Sequence, residues 1–467
     1  MHLAGPPHLV LLPLYLQLYD ETVPELLPRQ ERFLARVASL MRSQGLSVTL
    51  LPICRTRPQV GAAVASAEEQ RADGIVAIHL AYSPSLEAAG PLSATSLPLL
   101  LLDTTPAESF GPAATMDDVL ENHGVHGVQD LASVLLRQGR EYSVIAGAIG
   151  DPRLAGAFSN WARAARARAV ARTMVVARVG APFPGMGDFD VSDDWLCRVI
   201  GPRVAPLEVA HIAEVARGVT AADLAAEREA DRAAFDCGAC PDDCWERSNR
   251  LGLALRQALA EAGAGAFSMN FAAFERAVGA STVPFLEASK AMARGLGYAG
   301  EGDVLTASLV AALNSCYAPT TFTEMFCPDW SGGRIFMSHM GECNPALAKR
   351  RPRLVEKQYA FGPVDNPAVL IFPLRPGPAG LVNLAPRSGE QAALISIEVT
   401  VEDMEPAPGL LEIPHFWIAP PRGEVAGFLE RYSEAGGTHH LALTPGLSAA
   451  DLRPLAKLMG WEFVLLE

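Results

Sequence analysis

Across the first third of the chain, unbroken runs of Val, Ile and Leu alternate with stretches that repeat apolar residues every three to four positions. His8–Leu14, Leu46–Leu51, Gly74–His79 and Leu97–Leu102 show little polar alternation, so each reads as a strand covered on both faces. Between them, Val23–Gln44 and Val60–Arg71 carry a helical period. Buried strands joined through helices pair in parallel, because a parallel neighbour needs a long crossover. This pattern predicts a doubly wound α/β sheet, whose ligands gather beyond the carboxyl ends of the strands. Gln17, Tyr19, Asp20 and His79 are the polar residues at those ends.

The segment Asp117–Arg140 reads as a loop followed by a helix. It clusters Asn122, His123, His126 and Gln129 around glycines, which makes His126 and Asn122 candidates for substrate contact. Tyr142–Gly147 is a strand and Arg153–Arg172 a helix, and Thr173–Gly180 begins a second α/β unit. Gly180–Gly187 has a phosphate loop's glycines without its pattern, so it reads as a turn-rich connection. Helices follow at Ala221–Phe235 and Asp242–Glu261. Ala266–Phe271 is a strand with Ser268 and Asn270 on one face, and Val283–Leu296 a helix. Gly297–Gly302 reads as a tight loop, with Asp303 capping a helix over Val304–Leu313.

After Thr320 the texture changes to short alternating runs between Pro and Gly: Arg334–Met337, Ala368–Phe372, Gly380–Leu384, Ala393–Val401 and Leu410–Ile413. Such spacing predicts an antiparallel barrel or sandwich. Helices at Gly423–Glu434 and Ala449–Met459 and a strand at Glu462–Leu466 complete the chain.

A length of 467 residues suits about three domains. A formal charge of −14 argues against a nucleic-acid footprint, which needs a basic face. The local exception, Lys349–Arg353, reads as a solvated loop or a face paired with carboxylates. No apolar run is long enough to span a membrane. Leu9–Tyr19 also lacks the flanks of a signal peptide, so a cytoplasmic protein is expected. The eight cysteines are expected as free thiols. Cys237, Cys240 and Cys244 have the start of a thiolate metal pattern but no second C-x-x-C, and they read more simply as an interhelix turn.

Between Gly295 and Cys343 the sequence places Glu301, Glu324 and His339, each able to hold a divalent cation. His439 and His440 follow in GGTHHLAL. Two carboxylates with imidazole suit an ion such as Mn²⁺. Small residues on both sides of Glu301 let backbone or ligand approach it closely. Taken singly, Glu301 could begin a helix, Glu324 could lie on the surface and His339 could be a packed strand residue.

Taken in order, these segments carry a resemblance. Ala266–Phe271, Gly297-Tyr-Ala-Gly-Glu-Gly-Asp303, Thr321-Phe-Thr-Glu324, Ser338-His-Met-Gly-Glu342 and Gly436-Gly-Thr-His-His440 resemble the motifs of the L-arabinose isomerases, and more distantly the L-fucose isomerases. Asn122 with His126-Gly127 resembles a family segment that reaches the sugar from a neighbouring subunit. The resemblance implies two Rossmann-like doubly wound α/β domains and a C-terminal antiparallel β-barrel domain, here expected at 1–172, 173–318 and 319–467. It also implies a Mn²⁺ (or other divalent cation) site, a small-molecule sugar substrate, and a trimer-based or hexameric homo-oligomer with sites shared between subunits. The ligands would be Glu301, Glu324, His339 and His440. His440 is preferred over His439 because neighbours in an extended segment point to opposite faces. Glu301 and Glu324 would be the acid/base pair, and Gln17, Tyr19, Asn122, His126 and His439 would meet the substrate. The expected reaction is aldose–ketose isomerisation of an L-arabinose-like pentose or a deoxyhexose through an enediol. The competing expectation is a non-catalytic sugar-binding or sensing protein. The sequence departs from the family at Leu14–Tyr19 and at Met325–Trp330, where substrate recognition would lie.

Overall fold

The structure is a computed structural model that describes residues 5–467, so the first four residues of the expected 1–172 domain lie outside it. Two compact units are present, Pro6–Arg166 and Ala167–Glu467. In the first, β1 (His8–Leu14), β2 (Ser47–Leu50), β3 (Gly74–His79), β4 (Leu99–Asp103) and β5 (Ser143–Ala146) form a wholly parallel sheet in the order β2-β1-β3-β4-β5. Strand β3 is buried throughout and β1 from Leu9 onward, as continuous apolar runs require. The edge strand β2 has no fully buried residue. Helix Leu26–Ser43 buries Leu26, Phe33, Leu34, Val37, Ala38 and Met41, a stripe of three- and four-residue steps. Each large side chain in that stripe contributes roughly 1.5–3 kcal/mol by leaving water. The strand order reverses between β1 and β3, which puts Tyr15 and His79 at the crevice where such sheets bind ligands.

The second unit holds β6 (Val175–Val179), β7 (Arg203–Leu207), β8 (Asp236–Ala239), β9 (Ala266–Met269) and β10 (Gly297–Gly300). Four of these make a parallel sheet, β10-β9-β6-β7. Next come β11 (Thr321–Asp329), β12 (Arg334–Ser338), β13 (Arg353–Glu356), β14 (Ala368–Ile371), β15 (Gly377–Pro386), β16 (Ala392–Val401), β17 (His415–Ala419), β18 (His440–Pro445) and β19 (Glu462–Leu466). Seven of them form one sheet, β15-β18-β11-β12-β17-β16-β19, antiparallel except for β19 on β16. Because β15 also pairs with β16, six of the strands close a ring of pairings. A small third sheet joins β14, β13 and β8. The expected change of texture after Thr320 is therefore real: parallel sheets precede it and a largely antiparallel, sheet-rich region follows.

Several local expectations change. Gly297–Gly300 is a strand, not a loop. A Cβ on Gly297 would stand 2.2 Å from the carbonyl oxygen of Ala307, so the glycine lets helix Val304–Cys316 lie against β10. The expected strand at Leu410–Ile413 is absent, because Pro408-Gly409 begins a tight helical turn and extended pairing starts only at His415. The Cys237–Cys244 turn contains strand β8, which pairs with β13. Strand β9 stops at Met269, where Asn270 accepts the N–H of Ala272 and turns the chain. No helix among the described residues is long and apolar enough to cross a membrane.

Candidate metal centre

The site is assembled at the ends of strands in the second unit. Glu301 directly follows β10; its N–H donates to the carbonyl of Met269 at 2.6 Å, and its carbonyl accepts from Phe183 at 2.9 Å. Its φ of 62° lies in the left-handed region. That conformation costs a residue with a Cβ of order 1–2 kcal/mol and persists where neighbouring bonds over-determine it. The flanking glycines have separate tasks. A Cβ on Gly300 would come within 2.6 Å of Cε1 of His339, and one on Gly302 (φ 85°) within 2.6 Å of Cα of Pro182.

Glu324 lies on β11 directly opposite His440 of β18 and opposite Ser338 of β12. Antiparallel register puts opposed residues on the same face, so Glu324 and His440 point the same way, with His339 just past the end of β12. His440 Nε2 stands 2.9 Å from Glu324 Oε1 and 3.5 Å from Glu301 Oε2. His339 Nε2 is 3.5 Å from Glu324 Oε1. His439 Nε2 lies 3.6 Å from Glu301 Oε2 and 3.8 Å from Glu324 Oε1. Ligand atoms of Glu301, Glu324, His439 and His440 all fall within 4.8 Å of one another. The expectation that one ring of the histidine pair points away is not met. His439 sits in a bend before β18 begins, where strand alternation does not apply.

Each imidazole is held from behind by a carboxylate. His339 Nδ1 donates to Glu342 at 2.8 Å, His440 Nδ1 to Asp303 at 2.9 Å and His439 Nδ1 to Asp188 at 2.7 Å. Glu342 also accepts the N–H of Gly341 and the hydroxyl of Tyr298. Such partners fix the tautomer and turn the Nε2 lone pair toward a cation. At the centre, Glu301 Oε2, His339 Nε2 and His440 Nε2 are buried and make no hydrogen bond. Buried polar atoms are normally satisfied. Donors sharing one ion at about 2.1 Å stand about 3 to 4 Å apart, close to the separations among Glu301, Glu324, His439 and His440, whereas His339, 3.5 Å from Glu324, falls outside that group. Two carboxylates plus imidazoles therefore fit a divalent cation.

The electrostatics agree. Burial opposes ionisation of Glu301, yet the imidazoles of His439, His440 and His339 hold it well below the usual carboxylate range. Glu324 is also lowered, burial again opposed, by His339 and His440. Burial disfavours the charged forms of His339, His439 and His440, but the carboxylates overcome it and raise all three, His439 to about 9. Five carboxylates surround three imidazoles, which is an environment that attracts positive charge. Glu301, His339 and His440 are almost inaccessible, whereas the His439 side chain is 40 % exposed and marks the open side.

The other expected site residues lie in the first unit. Tyr19 Oη is 2.8 Å from Nε2 of His123, and His126 stacks between Tyr82 and His123. The Asn122 side chain donates to Asp118 and accepts from the N–H of Ala107. Gln17 is exposed at the start of helix Leu18–Thr22. The thiols of Cys237, Cys240 and Cys244 approach three different carbonyls, those of Phe235, Pro241 and Asn366, and form no metal-holding group among the described residues. Asp188 escaped the sequence reading, Glu342 stood in a motif without a role, and Asp303 had no role beyond capping a helix. His339-x-x-Glu342 was a usable signal; Asp188 offers none, because its partner lies 251 residues away.

Comparison with known proteins gives three consecutive matches. The L-arabinose isomerase N-terminal domain matches residues 16–173, the central domain 200–317 and the C-terminal domain 319–462. An L-arabinose isomerase from a Nocardioides species is 31 % identical over 84 % of this chain and 80 % of its own. L-arabinose isomerases from Yersinia pestis and Yersinia pseudotuberculosis are 29 % identical, over 92 % of this chain and 89 % of theirs.

Proposed function

Since the chain belongs to the L-arabinose isomerase family and is an aldose–ketose isomerase, we propose that it converts an open-chain L-arabinose-like pentose or deoxyhexose to its ketose at the Glu301–Glu324 centre. The observation that carries this is the meeting of Glu301, Glu324 and His440, distant in sequence, around buried donor atoms that lack hydrogen bonds. Glu301, Glu324, His339 and His440 would hold Mn²⁺ or a similar cation. His339 and His440 suit that role because both are buried, both are clamped at Nδ1, and both turn an Nε2 that makes no hydrogen bond toward Glu324. When bound, the cation supplies Lewis-acid polarisation of a carbonyl and its neighbouring hydroxyl.

The chain's own groups handle the protons. One carboxylate of the pair takes the proton from C2 and the other group returns a proton at C1, through an enediol. Glu301 and Glu324 both approach His440 Nε2, at 3.5 and 2.9 Å, so two carboxylates can face one substrate carbon skeleton. His439, on the open side, would meet sugar hydroxyls. Asn122 and His126 would reach the sugar from a neighbouring copy in a trimer or hexamer, and Gln17 and Tyr19 would be further substrate contacts. The division at 1–172, 173–318 and 319–467, a barrel formed by the ring of strands, and a cytoplasmic location belong to the same reading.

The test is to assay a panel of aldoses for ketose formation after stripping metal, with and without added Mn²⁺. Metal-dependent ketose formation from an L-arabinose-like sugar is expected. Sugar binding with no ketose formed under any condition would overturn the catalytic reading.

A further inference from the structure

A cleft of about 700 Å³ lies within the second unit, built by residues that the isomerase reading does not use. Four arginines line it, Arg232, Arg350, Arg351 and Arg353, against one acidic residue, Asp236. This is unexpected in a chain of net charge −14, where carboxylates outnumber basic side chains. Arg351 and Arg353 flank the buried Pro352, whose carbonyl accepts the N–H of Asp236, so both arginines project on the exposed side of one extended segment. Arg353 makes no ion pair or side-chain hydrogen bond among the described residues. Arg351 donates to the carbonyl of Arg232, leaving its charge unbalanced by a carboxylate. Arg350 meets Glu405, and Arg232 reaches Glu229 only at 3.8 Å. The buried Trp245 carries the guanidiniums of Arg228 and Arg232 over its ring at 4.4 and 5.1 Å, which fixes the Arg232 head at the cleft.

We propose that this cleft binds a small molecule bearing a phosphate or diphosphate group. A guanidinium presents paired N–H donors that match phosphate oxygens, and several converging on one cleft favour a multiply charged oxyanion. The volume falls in the range of small-molecule sites. The acidic character of the rest of the chain disfavours an extended nucleic acid.

Calorimetric titration of the full-length protein tests this with pyrophosphate, ADP, a hexose monophosphate and the same hexose without phosphate. The phosphate-bearing probes should bind with submillimolar affinity and the neutral hexose should not bind at this cleft. The stronger of ADP and the hexose monophosphate identifies the source of the phosphate. The double variant R351S/R353S should weaken binding by roughly tenfold or more while leaving isomerase activity without probe unchanged, and R353K should fall between it and the unaltered protein, because lysine keeps the charge but loses the fork. Absence of binding by every phosphate probe, or equal binding by R351S/R353S, overturns the proposal. So does an RNA oligonucleotide that binds more tightly than pyrophosphate. A changed oligomeric state of R353E in sedimentation would mark the cleft as an interface between copies and overturn it too.

Discussion

Oδ2 of Asp303 lies 2.9 Å from Nδ1 of His440, and both side chains are fully buried. The other oxygen of the same carboxylate accepts the N–H of Thr306 at 2.9 Å, capping helix Val304–Cys316. One residue thus ties the start of a helix to the orientation of a candidate metal ligand from a strand well over 100 residues later, the separation being 137.

Asp303→Asn separates the two roles. Asparagine caps a helix nearly as well as aspartate, but it removes the negative charge behind His440. Mn²⁺ affinity, measured by titration of metal-free protein, should fall roughly 10- to 100-fold with little loss of thermal stability. An unchanged metal affinity would show that the His440–Asp303 contact has no bearing on the ion.

Glu301→Gln and Glu324→Gln each keep volume while removing a carboxylate from the centre. Turnover should fall by roughly 10²- to 10⁴-fold in each, as for loss of an acid/base group. Steady-state assay at saturating Mn²⁺ separates this from weakened metal binding. Near-normal turnover in both would end the proposed proton-transfer role.

Gly300→Ala adds a single carbon 2.6 Å from Cε1 and 3.0 Å from Nε2 of His339. The ring would be pushed from its place between Glu342 and Glu324. Overpacking of this kind costs about 1–3 kcal/mol, so both the melting temperature and Mn²⁺ affinity should drop. Thermal denaturation with and without Mn²⁺ reads both.

Acid stability should depend on Glu227, away from the metal centre. Burial disfavours its charge, but Arg256 and Lys290, at 2.7 and 2.9 Å, bring its pKa down from 4.5 to about 2. A carboxylate lowered on folding adds stability that is fully present above the unfolded value. That stability is lost as pH falls from 4.5 toward 2, because the unfolded chain takes up the proton first. Glu227→Gln should therefore be less stable at neutral pH by an amount of order 1–3 kcal/mol, and the gap should narrow across that window. Urea denaturation of both proteins at several pH values checks the slope.

Much of the architecture follows from local pattern. The buried runs of β1, β3 and β4 are apolar on both faces, so they had to be interior parallel strands wherever the rest of the chain went. Glu301, Glu324, His339 and the His439–His440 pair were legible as candidate donors only when taken together, through the order of the motifs that contain them, since each residue alone has an ordinary structural reading. Partners were harder to read. Gly297–Gly300 resembles a loop until helix Val304–Cys316 is seen against it, and Leu410–Ile413 resembles a strand until its Pro-Gly turn is placed.

Residue types and periodicity by themselves determined that this chain would form parallel sheets followed by antiparallel ones, and they offered Glu301, Glu324, His339, His439 and His440 as candidate cation donors. Only the tertiary structure decided which strand faces which, and hence that Glu324 stands opposite His440 and that Asp188 backs His439. The physical reason is range. Hydrophobic periodicity acts over a few residues and is written along the chain, whereas strand register and the carboxylates behind each imidazole arise from contacts between segments that have no local signature.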